Sequence, residues 1–243
     1  VKNREKILEK CVAIFCVSKF IRNKFLEGIN GDFQKVHYLH NGVERKLKKF
    51  PIKKKEVLFV GRLVPEKGVN LYVEVIQNIA NKFPSWKFNL IGSFSLGDDR
   101  NKGSFSTKII KKFKNIGTQA KFHGFKDQDF VQNKMKDASI IIIPSIWEEP
   151  FGLVAAEAMS NGVAIIASDI GGIPEIVGKN GVLIKNINKY KLENELQKLI
   201  ENKTKREVLQ KKSWNNFTFF AQRSSRKLDF YRENILSNNF VNN

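Results

Sequence analysis

Long apolar runs are missing from these 243 residues. The longest, Cys11 to Val17 and Ala138 to Ile143, fall well short of the about 20 residues that a helix needs to cross a bilayer, so the chain is expected to be a soluble globular protein. Cysteine is nearly absent. Cys11 and Cys16 sit in one apolar stretch, at a spacing that suits neither a zinc knuckle nor a C-x-x-C redox pair, and they read as small core hydrophobes. Three scattered histidines, His37, His40 and His123, are too few and too dispersed for a metal site, and no metal or other cofactor is expected. There are no internal repeats. The opening VKNREKILEK is charged throughout and lacks the apolar centre of a secretory signal. The expectation is a cytoplasmic chain, at most peripheral on the inner face of the cell membrane.

Acidic residues are also in short supply: 24 against 43 Lys and Arg, a net charge of +19. Such a surface attracts polyanions. Lysine is abundant everywhere in this chain, however, and thickens only in RKLKKFPIKKK (Arg45 to Lys55), around Lys108 to Lys114 and near the C-terminus. We therefore expect no specific nucleic-acid partner, and a weak association with anionic lipid headgroups.

What is present is a regular alternation. From Glu56 onward, short apolar runs alternate with amphipathic stretches, the pattern of a parallel sheet with crossover helices. Candidate strands are Val57–Val60, Trp86–Ile91, Lys121–His123, Ser139–Ile143, Val163–Ala167 and Val182–Ile184. Helical patterns fall at Val69–Lys82, Ser106–Asn115, Gln128–Lys136, Leu153–Ser160, Ile173–Val177 and Tyr190–Glu201. This is a doubly wound α/β domain, in which ligands bind outside the carboxyl ends of the strands. Residues 1–50 stand apart: a strand (Val12–Val17), a helix opened by Ser18 (Lys19–Glu27), a second strand (Val36–Leu39) and a turn at Asn41-Gly42. That unit is too small to bury a core alone. The domain reading is thus 1–50, 51–204, and a helical tail at 205–243 with Trp214, Phe217, Phe219, Phe220, Phe230 and Tyr231 as apolar anchors.

Three loops carry chemistry. In VLFVGRLVPEKGVN a strand ends, Gly61 permits close backbone approach, Arg62 and Lys67 supply two cations, and Gly68 lets the next helix start tightly. A guanidinium fork and a movable ammonium together suit a diphosphate. In IIIIPSIWEEPFGLVAAEAMSNGVAIIAS a buried strand stops at Pro144 and a loop presents Glu149. Pro150 and Phe151 stiffen it, and Gly152-Leu153 open a helix containing Glu157. Carboxylates before and inside that helix can meet ligand hydroxyls, while free N–H groups at its start face negative charge. Glu157 lies among Ala155, Ala156, Ala158 and Met159, where an unpaired carboxylate is costly, so it should have a partner. In SDIGGIPEIVGKNGVLI, Gly171-Gly172 and Pro174 allow backbone N–H groups close to a ligand. Asp127-Gln128-Asp129 imitates a metal-binding D-x-D, but its place before a helical pattern makes it an N-cap. Asp98-Asp99 receives no role.

Taken in order, Gly61-Arg62…Glu66-Lys67-Gly68, His123-Gly124-Phe125, Pro144-Ser145…Glu149-Pro150-Phe151-Gly152…Glu157-Ala158 and Gly171-Gly172-Ile173-Pro174-Glu175 resemble the C-terminal domain of family 4 glycosyltransferases. Ser18 to Glu44, ending HNGVE, looks like the last stretch of the preceding domain. The match runs roughly over residues 12 to 201. It implies a GT-B-type C-terminal domain, a Rossmann-like parallel sheet with helices on both faces, with a partial N-terminal domain. By the resemblance, Arg62 and Lys67 would hold the diphosphate and Glu157 the ribose hydroxyls. Glu149, with the backbone of Phe151, Gly152 and Leu153, would hold the transferred sugar and part of the phosphate. Backbone near Gly124-Phe125 would hold the base. The implied activity is retaining transfer of a hexose-type sugar from a nucleoside diphosphate donor to a saccharide or lipid-linked acceptor, as in lipopolysaccharide or surface polysaccharide assembly, without a metal.

Two functional classes remain against it. The family's glycine-rich loop and histidine of the first domain have no counterpart before residue 12, which favours a truncated or non-catalytic nucleotide-sugar-binding module that needs a partner chain carrying the N-terminal domain. A dinucleotide-dependent oxidoreductase is set aside, because G-R-L-V-P-E-K-G stands where G-x-G-x-x-G would follow the first strand. With so little of the first domain present, Val12–Val17 is expected to be an exposed, unpaired apolar strand, with self-association or the need for a separately encoded partner as the consequence.

Overall fold

A computed structural model describes residues 8, 10–28, 33–93 and 104–241. Asp98-Asp99 lies outside them. Strands β1 (Ile14–Cys16) and β2 (Val36–Tyr38) are joined through helix α1 (Lys19–Leu26). Then come β3 (Lys54–Val60), α2 (Val69–Ile79), β4 (Lys87–Ile91), α3 (Ser104–Lys114), β5 (Ala120–Gly124), α4 (Gln128–Asp137), β6 (Ala138–Ile143) and α5 (Leu153–Ser160). The chain continues through β7 (Ala164–Ser168), α6 (Ile173–Val177), β8 (Val182–Ile184), α7 (Lys189–Glu201), α8 (Lys203–Asn215) and α9 (Ala221–Val241). None of the helices in the described residues is long and apolar enough to cross a membrane.

Strands β3 to β8 form one sheet in the order β5-β4-β3-β6-β7-β8, all neighbours parallel. Alternation of side chains along each strand splits the core in two. Val57, Phe59, Ile140 and Ile142 face one side with α2, α3 and α7, through residues such as Tyr72, Phe113 and Leu196. Leu58, Ile141, Ile143 and Ile165 face the other, with α4, α5 and α6, through Met135, Ala155, Met159 and Ile176. Both faces are covered, so the strands read as near-continuous apolar runs, as in the fully buried ASIIII of β6. The order of the sheet reverses between β3 and β6. A crevice must open there, because the connections leaving these two strands run to opposite faces of the sheet.

The expectation of an exposed, unpaired strand at Val12–Val17 is corrected. The strand is shorter, and β2 pairs with it in parallel at Ile14↔Val36, Phe15↔His37 and Cys16↔Tyr38. Cys16 is buried, and burial pushes its thiol up; Cys11 is only partly buried, and neither cysteine forms a disulfide. Val12 remains 59% exposed. The cover comes from α9, whose Tyr231 ring lies 5.2 Å from Phe15 and 4.7 Å from His37. Val43 anchors the start of that helix, donating its N–H to the Phe219 carbonyl (2.7 Å) and accepting from the Ala221 N–H (3.2 Å). Helix α8 starts just before residue 205, with the Asn202 side chain accepting from the Lys205 N–H, and its Gln210 amide donates to the Ser139 carbonyl inside β6 at 2.9 Å. The stretch that reads as a tail therefore carries two jobs, one helix on the sheet and one on the β1–α1–β2 unit.

Candidate functional site

The loop leaving β3 turns sharply at Gly68, whose φ is +66°. A Cβ there would sit 1.9 Å from the Pro144 carbonyl oxygen, so only glycine lets this loop close against the end of β6. Lys67 precedes it in a single 3-10 turn, Pro65–Lys67. The two loops are further stitched by the Ile146 N–H, which donates to the Glu66 carbonyl at 2.9 Å. The result brings Lys67 and Glu149 together across the reversal point: the ammonium donates to Glu149 Oε1 at 2.5 Å. Ser145 Oγ donates to the same oxygen at 2.7 Å.

Around that pair lies a cleft of about 490 Å³, counting its open mouth, lined by Gly61, Lys67, Pro144, Ser145, Glu149 and the consecutive Gly152, Leu153 and Val154. The last three form the start of α5, where backbone N–H groups lack helical acceptors and the helix dipole favours negative charge. An ammonium, a helix start and a carboxylate with a hydroxyl beside it thus share one wall. Chemically this can bind an anion and a polyhydroxyl group side by side.

Other sequence-derived site residues lie around this cleft rather than in it. Arg62 is exposed in the same loop as Lys67 and has no ion-pair or hydrogen-bond partner among the described residues. Phe151 turns its ring away from the cleft into the core, 5.7 Å from His40 and 6.0 Å from Phe219. Gly124 ends β5, two strands from β3 in the sheet, and Phe125 follows it; the Phe125 ring is 71% exposed. Glu157 is 7% exposed and has the partner its surroundings demand: Gln128, the first residue of α4, donates to Oε1 at 2.7 Å. Asp127 before it accepts from the Phe130 N–H (2.8 Å), an N-cap as its position indicates. Lys53 ties down the far ends of these two helices, its ammonium donating to the Met135, Lys136 and Asn161 carbonyls.

The sequence assigns no site role to Gln128 or Ser145. Ser145 carried a signal, a hydroxyl residue directly after the strand-ending Pro144. Gln128 carried none, since a glutamine at a helix start is ordinary. None of the three histidines lines the cleft. His37 stacks on Tyr231. His40 Nε2 lies 3.0 Å from Glu175 Oε2. His123 Nε2 lies 2.8 Å from Asn89 Oδ1, and burial, with Lys134, Lys121 and Lys126 nearby, pulls it down to about 4.

A family model, that of the glycosyl transferases group 1, matches residues 42–215. The chain belongs to that family. Among relatives of this chain are an uncharacterized glycosyltransferase of Methanocaldococcus jannaschii, 32% identical over 81% of this chain and 52% of its own, and the lipopolysaccharide 1,2-N-acetylglucosaminetransferase of Salmonella typhimurium, 31% identical over 66% and 45%. The fold is shared with the crystal structure of Anabaena HepE in complex with UDP: TM-score 0.79 at 20% identity, covering 92% of this chain and 64% of that one. The chain spans about half the length of the curated relatives it matches.

Burial pushes the Glu157 carboxyl up, opposed in part by the Gln128 hydrogen bond. In the pH window between the ordinary carboxylate range and this raised value, the folded chain holds a proton that the unfolded chain has lost. Its stabilising contribution is therefore complete at low pH and disappears as pH rises through the folded value. Glu157→Gln removes that loss while keeping an acceptor for Gln128. The variant should melt above the unaltered chain at pH 7–8, with the gain vanishing below about pH 4. Thermal melts across this range decide it. A pH-independent difference, or destabilisation at neutral pH, would show that burial does not strain this carboxylate.

Proposed function

We propose that this chain is the donor-binding half of a retaining, family 4 type GT-B glycosyltransferase, moving a hexose-type sugar from a nucleoside diphosphate sugar to a saccharide or lipid-linked acceptor. The observation that carries the reading is the Lys67–Glu149 pair beside the start of α5, at the point where the sheet order reverses. Entering diphosphate oxygens take over Lys67, joined by Arg62 and the amides of Gly152 and Leu153. Glu149, released from the ion pair but still held by Ser145, then accepts from sugar hydroxyls. Glu157 accepts from the ribose, and the base lies along Gly124 with Phe125 as its packing surface. HepE in complex with UDP makes a uridine nucleotide the first probe to use.

In the transfer step the anomeric C–O bond to the diphosphate breaks and its electron pair leaves on the phosphate. The acceptor oxygen bonds to the same carbon on the same face, and the acceptor's proton passes to the departing phosphate. Lys67, Arg62 and the α5 amides face the charge that builds on the leaving group, the place where fixed cations and dipoles lower a barrier most; we assign them the role a metal plays elsewhere. An acceptor such as a lipid-linked saccharide suits the relationship to a lipopolysaccharide N-acetylglucosaminetransferase and the positive charge of the chain.

A second reading is a nucleotide-sugar-binding module that acts only with a partner chain, and the observation that favours it is that the cleft residues described are all ones assigned to the donor. Holding the acceptor against the anomeric carbon accounts for about 7–11 kcal/mol of barrier lowering in oriented reactions, and no residue above is assigned to the acceptor. The 243-residue chain should therefore bind nucleoside diphosphate yet transfer little sugar alone. Calorimetry with uridine, adenosine and guanosine diphosphates, followed by transfer of radiolabelled sugar with and without an added N-terminal domain, separates the readings. Efficient transfer by the isolated chain would refute the second, and failure to bind any nucleotide would refute both.

A further inference from the structure

We propose that the β1–α1–β2 unit sets the geometry of the sugar-facing loop, with Ser18 and Glu175 as its positioning residues. The inference rests on the donor-site reading above and adds what holds that site in shape.

Glu175, in α6, reaches across to the start of α1. Its carboxylate accepts from the Lys19 N–H at 2.9 Å and the Phe20 N–H at 2.6 Å, and faces His40 Nε2 at 3.0 Å. These are the first amides of α1, which have no acceptor within the helix and lie at the positive end of its dipole. Ser18 approaches the loop from the other side. Its fully buried hydroxyl accepts from the Ile21 N–H at 3.0 Å, as a helix cap does, and donates to the Pro150 carbonyl at 2.5 Å.

Capping alone needs only the first of those two bonds. The second goes 132 residues along the chain to the residue after Glu149. Helix α6 grips the same loop independently, because the Gly172 N–H donates to the Glu149 carbonyl at 2.7 Å. So α1 holds the Glu149–Pro150 backbone along two routes: directly through Ser18, and through Glu175, α6 and Gly172. The ring of Phe151 against His40 is a third attachment. A carboxylate that must meet particular hydroxyls gains from backbone fixed to a fraction of an ångström, and the neighbouring unit supplies that fixation.

The test uses the full chain with Ser18→Gly, Ser18→Thr and Glu175→Gln. Glycine is tolerated at a helix start and lacks the hydroxyl; threonine keeps it. Two measurements are made: calorimetry with UDP and with UDP-glucose, and amide hydrogen exchange of residues 146–153 in the unliganded chain. Ser18→Gly should speed exchange in this loop and weaken UDP-glucose by about three- to tenfold, with UDP moved by less than about twofold, in line with one lost hydrogen bond. Ser18→Thr should restore both, and Glu175→Gln should follow Ser18→Gly. Equal weakening of the two ligands, or unchanged exchange with an unchanged affinity ratio, overturns the proposal while leaving the donor site standing. If the unaltered chain binds neither ligand, the donor-site reading falls and takes this one with it.

Discussion

Lys67→Ala should weaken binding of uridine diphosphate by about ten- to one-hundredfold, the loss expected for a charge-assisted hydrogen bond of about 1.5–3 kcal/mol. The effect should exceed that of Arg62→Ala. Lys67 is paired in the unliganded chain, and deleting it strands Glu149, which then faces the incoming diphosphate as an unneutralised like charge. Arg62 has no such dependant. The double variant Lys67→Ala/Glu149→Gln should therefore recover part of the nucleotide affinity that Lys67→Ala loses, a positive coupling between neighbours in one network. The salt dependence of binding should flatten in both cation variants. Calorimetry at two ionic strengths checks all of this. Additive effects in the double variant would mean that the pair does not act as a unit, and unchanged affinity in both single cation variants would remove the diphosphate assignment.

Gly171→Ala should be strongly disruptive near the site. Gly171 has φ +64°, and a Cβ there would lie 2.5 Å from the Glu149 amide nitrogen and 2.6 Å from its carbonyl oxygen. The left-handed backbone alone costs a non-glycine residue about 1–2 kcal/mol, and the contact is to backbone, which cannot swing aside as a flexible side chain can. The displaced element is the loop that aims Glu149. Gly117→Ala is the control: φ is +94°, with nothing within 4 Å of the added carbon. Both variants should lose the backbone contribution, measured by denaturant unfolding. Only Gly171→Ala should go further, and it should cost UDP-glucose more affinity than UDP. Matching losses in the two variants would mean the loop yields freely.

Much of the sheet was legible because its signals are local. Leu153–Ser160, Ile173–Val177 and Val182–Ile184 are bounded by Gly152, Gly172 and Gly181, and the structure begins and ends these elements at those residues. The helix read as Val69–Lys82 stops at Ile79, where Ala80–Lys82 tighten into a 3-10 turn; a helical period does not distinguish the two. The candidate site was legible by its loops, because glycine, proline and charge cluster after strands. Its pairing was not. Lys67 meets Glu149 across 82 positions and Glu157 meets Gln128 across 29, and no periodicity encodes which distant loop a side chain will touch. The paired and covered β1 was missed for the same reason, since its cover is supplied by a helix near the other end of the chain.

That cover has a consequence during synthesis. The segments bearing β1 and β2 leave the ribosome before α9, which packs Tyr231 against Phe15 and His37 and emerges roughly 180 residues after them, or about 10–40 s at ordinary elongation rates. Throughout that interval Phe15 lacks the Tyr231 ring that covers it in the finished fold. Nascent chains halted before Ala221 should be clients of apolar-binding chaperones, and release from them should coincide with the emergence of α9.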